Sequence, residues 1–274
     1  MNPLWWSQIA AVLRIEMKKT FFSRRGLWVY LLAFFPLVLF AVYSIREFGR
    51  PSNFGRDTNV FATVFQVFYL RLAIFFGCVG IFMNLFRGEV LDRSLHFYFL
   101  APIRREVLLA GKFIAGLTAA IVIFTSSIAL QFVALYAHYD AETMRDYMLR
   151  GNGIGHLIAY VGVTALACVG YGSVFLAAGV LMRNPIVPAA LILVWEAVNN
   201  FLPSLLQKFS VIFYLKSLCP IQIAPEAGEA FSFLTIAANP IPAYVAVPGL
   251  LALAVLVLIF AAARVRRMEI AYVE

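Results

Sequence analysis

The chain has 274 residues, 63% of them hydrophobic and only 13% charged, with a mean hydropathy of +0.87. A soluble domain carries about 25% charged residues, so this composition excludes a water-soluble enzyme or binding domain and requires lipid around much of the surface. The net charge of +8 has no basic soluble domain to sit on, which argues against nucleic acid; in a membrane protein Lys and Arg gather in loops near anionic headgroups.

Residues 1–26 read as a cytoplasmic interfacial amphipathic helix. Trp6, Ile9, Leu13 and Met17 recur at helical spacing, while Arg14, Lys18 and Arg25 fall on another face. The segment does not have the form of a cleavable signal peptide, because its charged region is long and no small-residue cleavage site follows it. The rest of the chain, 27–274, reads as one transmembrane domain. Apolar runs at about 27–45, 60–86, 113–137, 157–181, 186–206 and 243–263 are each long enough to cross the hydrocarbon core as a helix. The expected fold is therefore an all-α polytopic membrane protein with six transmembrane helices. Region 207–242 is apolar but Pro-broken, and is expected to be re-entrant or interfacial, partly inserted before the last span. The Gly151-Asn152-Gly153-Ile154-Gly155 run reads as a flexible turn.

Placing the N-terminus in the cytoplasm puts 14 of the 22 Lys and Arg residues in inner segments and 7 in outer ones, with Arg71 inside a span. That bias fits the positive-inside rule and predicts both termini on the cytoplasmic side.

The loop 87–112 concentrates charge between two apolar runs, with five Lys or Arg and three Asp or Glu. Leu91, Leu95 and Tyr98 share one helical face, and Glu89, Arg93 and His96 share another. Pro102 ends that short helix. Arg104, Arg105 and Glu106 then open a second segment that turns apolar at Val107 and closes on Gly111-Lys112.

This order of residues resembles the loop between the second and third spans of ABC-2-type ABC transporter permease subunits. It comprises an acidic residue, a Leu-rich short helix, a Pro, Arg residues, an apolar group and Gly-Lys. The topology and the interfacial N-terminal helix are similar as well; Arg93-Ser94 stands where many members carry a Gly-Thr-like pair. The resemblance implies a homodimer, or a pairing with a paralogue, above two copies of an ABC ATPase subunit. It implies a bacterial inner membrane location and export of an amphipathic, lipid-linked or drug-like cargo. Glu89, Arg93, Pro102, Arg104, Arg105 and Lys112 would form the ATPase-coupling interface. The chain has no GxxxxGK[ST] motif, so ATP and Mg would be bound by the partner and this chain would not itself be an enzyme.

Arg71 and Glu196 are strong charges well inside apolar runs, where each costs about 2.5–3.5 kcal/mol at mid-bilayer. With Gln66, Asn199 and Asn200 they define a candidate translocation path, or else a structural intramembrane ion pair. As a relay they would suit the alternative reading, an ion-coupled secondary carrier. A non-translocating membrane component driven by an ATPase is the other alternative. The three Cys and three His are dispersed without metal-ligand spacing.

Overall fold

A computed structural model describes residues 26–49, 53–85, 104–182, 186–221 and 241–266, with Ala10, Leu13, Arg14, Glu16, Asn184 and Ile223. Secondary structure among these residues is helical throughout. Among the described residues five helices are long and apolar enough to cross a membrane, so the chain is a polytopic helical membrane protein.

Helix α1, Leu27–Glu47, has no charge before Arg46 and ends at a turn in which Gly49 takes φ +79°. That left-handed backbone is open to glycine at little steric cost. Helix α2, Phe54–Met83, starts six residues before the apolar run. Its cause is local: the Asn53 side chain accepts from the N–H groups of Gly55 (3.0 Å) and Arg56 (3.3 Å) and nucleates the first turn. Within α2 the stretches Val64–Ile74 and Val79–Met83 are π-helical. Such wide turns are rare and usually single.

Helix α3, Arg105–Tyr136, absorbs the distal part of the charged loop as its first two turns. The loop 138–155 holds an amphipathic helix, α4, Ala141–Arg150, capped by Asp140, which accepts from the Thr143 N–H at 3.0 Å. Helix α5, Gly153–Leu181, follows Asn152 at φ 67°, so the expected flexible turn is partly the first turn of this helix.

The run 186–206 is not one helix. It divides into α6, Ile186–Ala197, a 3-10 turn at Asn199–Phe201, and the one-turn helix α7, Ser204–Gln207. Pro203 supplies one reason, since proline has no N–H for a helix interior. At 12 residues α6 reaches about 18 Å, short of the hydrocarbon thickness. Helix α8, Val211–Leu218, and the long helix α9, Ala243–Arg266, complete the fold.

The ends of the helices sort onto two faces. Where α3 begins, Lys112 bonds the carbonyl of Leu85 just past α2, and Arg105 bonds carbonyls at the end of α9. Gly179, near the end of α5, comes so close to α2 that an added Cβ would sit 3.1 Å from Met83 Cα. This is the proximal face. At the distal face Tyr43 of α1 bonds Asp57, Thr58 bonds Tyr136 at the end of α3, and Ile241 bonds Ser217 of α8. The core between the faces is aromatic. Phe61, Phe65, Tyr69 and Phe75 of α2 interlock with Phe124 of α3 and with Tyr160, Tyr171 and Phe175 of α5. Polar groups also join helices, as in lipid no hydrophobic force draws one helix to another. Ser127 and Gln131 of α3 both donate to the Ala33 carbonyl of α1, at 2.5 and 3.1 Å.

Candidate functional site

At the proximal face the first turns of α3 gather four parts of the chain. Lys112 is wholly buried, and its Nζ lies 2.7 Å from Glu16 Oε1 and 2.9 Å from the Leu85 carbonyl. Glu16 is 4% exposed, so the pair is removed from water. Removing both charges from solvent is costly, and only close geometry with added hydrogen bonds offsets that cost. Seven residues earlier, Arg105 Nη1 donates to the carbonyls of Val265 (3.5 Å) and Arg266 (3.1 Å). A cation at these unsatisfied carbonyls complements the end of the α9 dipole. Glu106 pairs with Arg266 beside it. The N-terminal segment, the end of α2, the start of α3 and the end of α9 are thus tied into one junction. Arg104, by contrast, is exposed at the entrance to α3.

A second cluster lies at mid-height. Glu196, at the end of α6, is 6% exposed. Its Oε2 accepts from Ser210 Oγ (2.7 Å) and Ile212 N (3.0 Å), and its Oε1 from Val211 N (3.0 Å). The carboxylate therefore caps the N-terminus of α8 from another segment, where free N–H groups and the helix dipole favour negative charge. Arg71 is not among its hydrogen-bond partners. Arg71, Tyr171, Glu196 and Lys216 lie near enough to one another to interact electrostatically. The height of the cluster follows from its neighbours. Val211 packs on Gly170 and Tyr171 on Phe75, both well inside their helices.

At the distal face Asp57, 3% exposed, accepts from Tyr43 (2.7 Å) and Tyr139 (2.8 Å). His138 Nε2 lies 3.2 Å from the same carboxylate without meeting hydrogen-bond geometry. Beside it, Thr58, Tyr136, Tyr147 and His156 form a chain of contacts at 3.1, 3.5 and 3.3 Å.

Of the residues singled out from sequence, Glu89, Arg93 and Pro102 lie outside the described residues, as do nearly all of the interfacial helix and half of 207–242. Arg104, Arg105 and Lys112 stand at the start of α3; Arg104 is exposed, and Arg105 and Lys112 bond carbonyls of other segments. Gln66 donates to the Ile221 carbonyl at 2.8 Å, fastening the segment after α8 to α2. Asn199 donates to the Gln207 carbonyl at 3.3 Å and holds the turn between α6 and α7; Asn200 lies in the same turn. Sequence reasoning missed Glu16, Asp57, Tyr171 and Ser210. Glu16 and Asp57 stand among exposed-looking polar neighbours, and no local signal separates them. Tyr171, inside a run of Gly and Ala, was the more legible omission. Among the described residues no group of three or more His, Cys, Asp or Glu is placed to hold a metal ion. Comparison of the chain with protein-family models and with curated protein sequences gives no match.

Proposed function

We propose that this chain is the permease subunit of an ATP-driven transporter of the ABC-2 type, an exporter of amphipathic, lipid-linked or drug-like cargo, energised by separate ATPase subunits. The observation that carries the reading is the junction around Lys112. A force on the N-terminal segment or on loop 87–103 meets a buried ion pair that also holds the ends of α2 and α3. Movement at that face is therefore passed to two membrane helices at once, as an ATPase-driven permease requires. In this reading the chain makes six crossings. The sixth lies between Leu181, at the proximal face, and Ala243, at the distal face, with α6 in the proximal half and α8 in the distal half. Exposed Arg104 contacts the ATPase, whereas Arg105 and Lys112 act as positioning residues behind it. The protein sits in a bacterial inner membrane with both termini cytoplasmic, paired with a second permease copy or a paralogue.

The alternative, an ion-coupled carrier, draws on the cluster of Arg71, Tyr171 and Glu196 at mid-height. One experiment separates the two. The tagged chain is purified from its native membrane in mild detergent, and its partners are identified by mass spectrometry. An ATP-hydrolysing chain should copurify in about equal amount, and Arg104→Glu should reduce its recovery. Transport driven by an ion gradient, with no ATPase bound, would replace the first reading with the second.

A further inference from the structure

Helix α5 is apolar enough to span, yet one of its rows is polar. His156, Tyr160, Thr164 and Cys168 follow one another at intervals of four, and Tyr171 comes three residues later. Residues four apart lie along one ridge of a helix, so these five form a line down the bundle. From Tyr160 to Tyr171 every member of that line is buried, at 1% exposure or less. At its top His156 touches Tyr147, which joins the distal network. At its foot Tyr171 sits in the field of Arg71 and Glu196. The facing wall is the π-helical part of α2: Phe65 packs on Tyr160 at 4.7 Å, and Gln66 is its neighbour.

Two hydroxyls in this line have no hydrogen-bond partner among the described residues, those of Tyr160 and Thr164. The remedy that helical Ser and Thr normally use is absent at Thr164. Thr118, Thr125 and Ser173 each donate to a carbonyl three or four residues back in their own helix, at 2.7–2.8 Å. The Thr164 hydroxyl is instead buried without such a bond. A hydroxyl left dry in an apolar medium is strongly unfavourable. Buried polar groups without a protein partner are the usual sites of ordered water.

We propose that the polar row of α5 is a hydrated seam running from the distal network to mid-height, with water bound at the hydroxyls of Tyr160 and Thr164. The seam gives the cluster at Arg71 and Glu196 a polar route to the distal surface, along which a hydrophilic part of a cargo can be accommodated. It lines one side of the bundle with hydrogen-bonding groups while the lipid-facing side of α5 stays apolar. The inference is independent of the ATPase reading, since it concerns the bundle and not its partner.

The test is thiol accessibility in the full-length protein. Thr164→Cys and Gly162→Cys are made separately and treated in detergent with a small, charged, water-soluble methanethiosulfonate. Peptide mass spectrometry then distinguishes each site from the native, buried Cys78, Cys168 and Cys219. Position 162 lies at nearly the same depth, and a Cβ added there meets nothing within 4 Å, so it reports the detergent-covered surface. Because the reaction needs thiolate in contact with water, Thr164→Cys should be modified roughly tenfold faster or more. Modification no faster than at Gly162→Cys overturns the proposal. If Thr164→Cys does not fold, Thr164→Val decides. Loss of a hydrated hydroxyl should lower the melting temperature by roughly 2–4 °C. A rise would mark a dry, unpaired hydroxyl, whose replacement by a methyl group is stabilising, and would equally overturn the seam.

Discussion

A carboxylate in the middle of a membrane protein persists only if protein donors replace its hydration, and Glu196 has three such donors. All three come from Ser210, Val211 and Ile212, so the residue acts on backbone geometry: it fixes where α8 begins. This separates two expectations that the sequence alone leaves together. An ion pair with Arg71 would make the charge of Glu196 its essential property; a helix cap makes its acceptor oxygens essential. Glu196→Ala should therefore destabilise the protein by about 3–5 kcal/mol, because it leaves buried donors unpaired. Glu196→Gln keeps one acceptor oxygen and should fall between Ala and the native residue. The double charge reversal Arg71→Glu with Glu196→Arg should not recover the stability lost in the Glu196→Arg single variant, since arginine cannot accept from the α8 N–H groups. Thermal unfolding of the four variants in one detergent checks this order. Full recovery in the double variant would restore the ion-pair account.

The long helices were legible as elements because hydrophobicity decides them, and their boundaries were not, because local polar chemistry decides those. The run 60–86 is readable as a span from its apolar side chains, but α2 begins at Phe54 because of a side-chain cap on Asn53. The charged island 87–112 reads as a cytoplasmic loop, yet from Arg105 onward it is helix whose charges point into neighbours. Lys112 is the clearest case. Its sequence setting, Gly-Lys ahead of an apolar run, looks interfacial, and only the fold brings Glu16 to it from 96 positions away. The π-helical turns of α2 have no composition signal at all; in the first of them Phe65 packs against Tyr160 of α5 and Tyr69 against Phe124 of α3. At this scale the Lys112 junction makes the firmest prediction. Lys112→Met preserves much of the length and apolar stem while removing the charge, and should cost about 3–5 kcal/mol by leaving Glu16 buried without its cation. Glu16→Gln in the same chain should regain most of that loss, because an amide is far less costly to bury than a carboxylate. Melting temperatures of the single and double variants measure the coupling. Independent, additive losses would mean that the two residues do not act as a pair.

On the scale of the whole molecule, the question is how often the chain crosses. The long helices are legible from hydropathy, and their directions follow from contacts between their ends. Helix α2 runs from the distal to the proximal face, and α5 runs parallel to it, since Tyr160 meets Phe61 and Phe65 while Gly179 meets Met83. Helix α9 ends at the proximal face, where Arg105 holds its last carbonyls, and so it must start at the distal one. Leu181 and Ala243 are therefore on opposite faces, and residues 182–242 must pass between them. Among the described residues there, no continuous helix is long enough to do so. In the proposed six-crossing reading helix α6 and helix α8 share the passage, with Glu196 near the break, the kind of irregular backbone that membranes admit only where protein covers it. Hydropathy reads 186–206 as a plain span because it counts apolar residues and cannot register the interruption at Asn199 to Pro203. The proposed reading requires an even number of crossings. Reporter fusions at residue 1 and residue 274 should lie on the same side of the membrane, and an insertion at Gly151 on the other. A cysteine at Asn184 should be labelled from the side of the termini. Termini on opposite sides would show that 182–242 turns back without crossing, and the proposed pairing of α6 with α8 would then have to be abandoned.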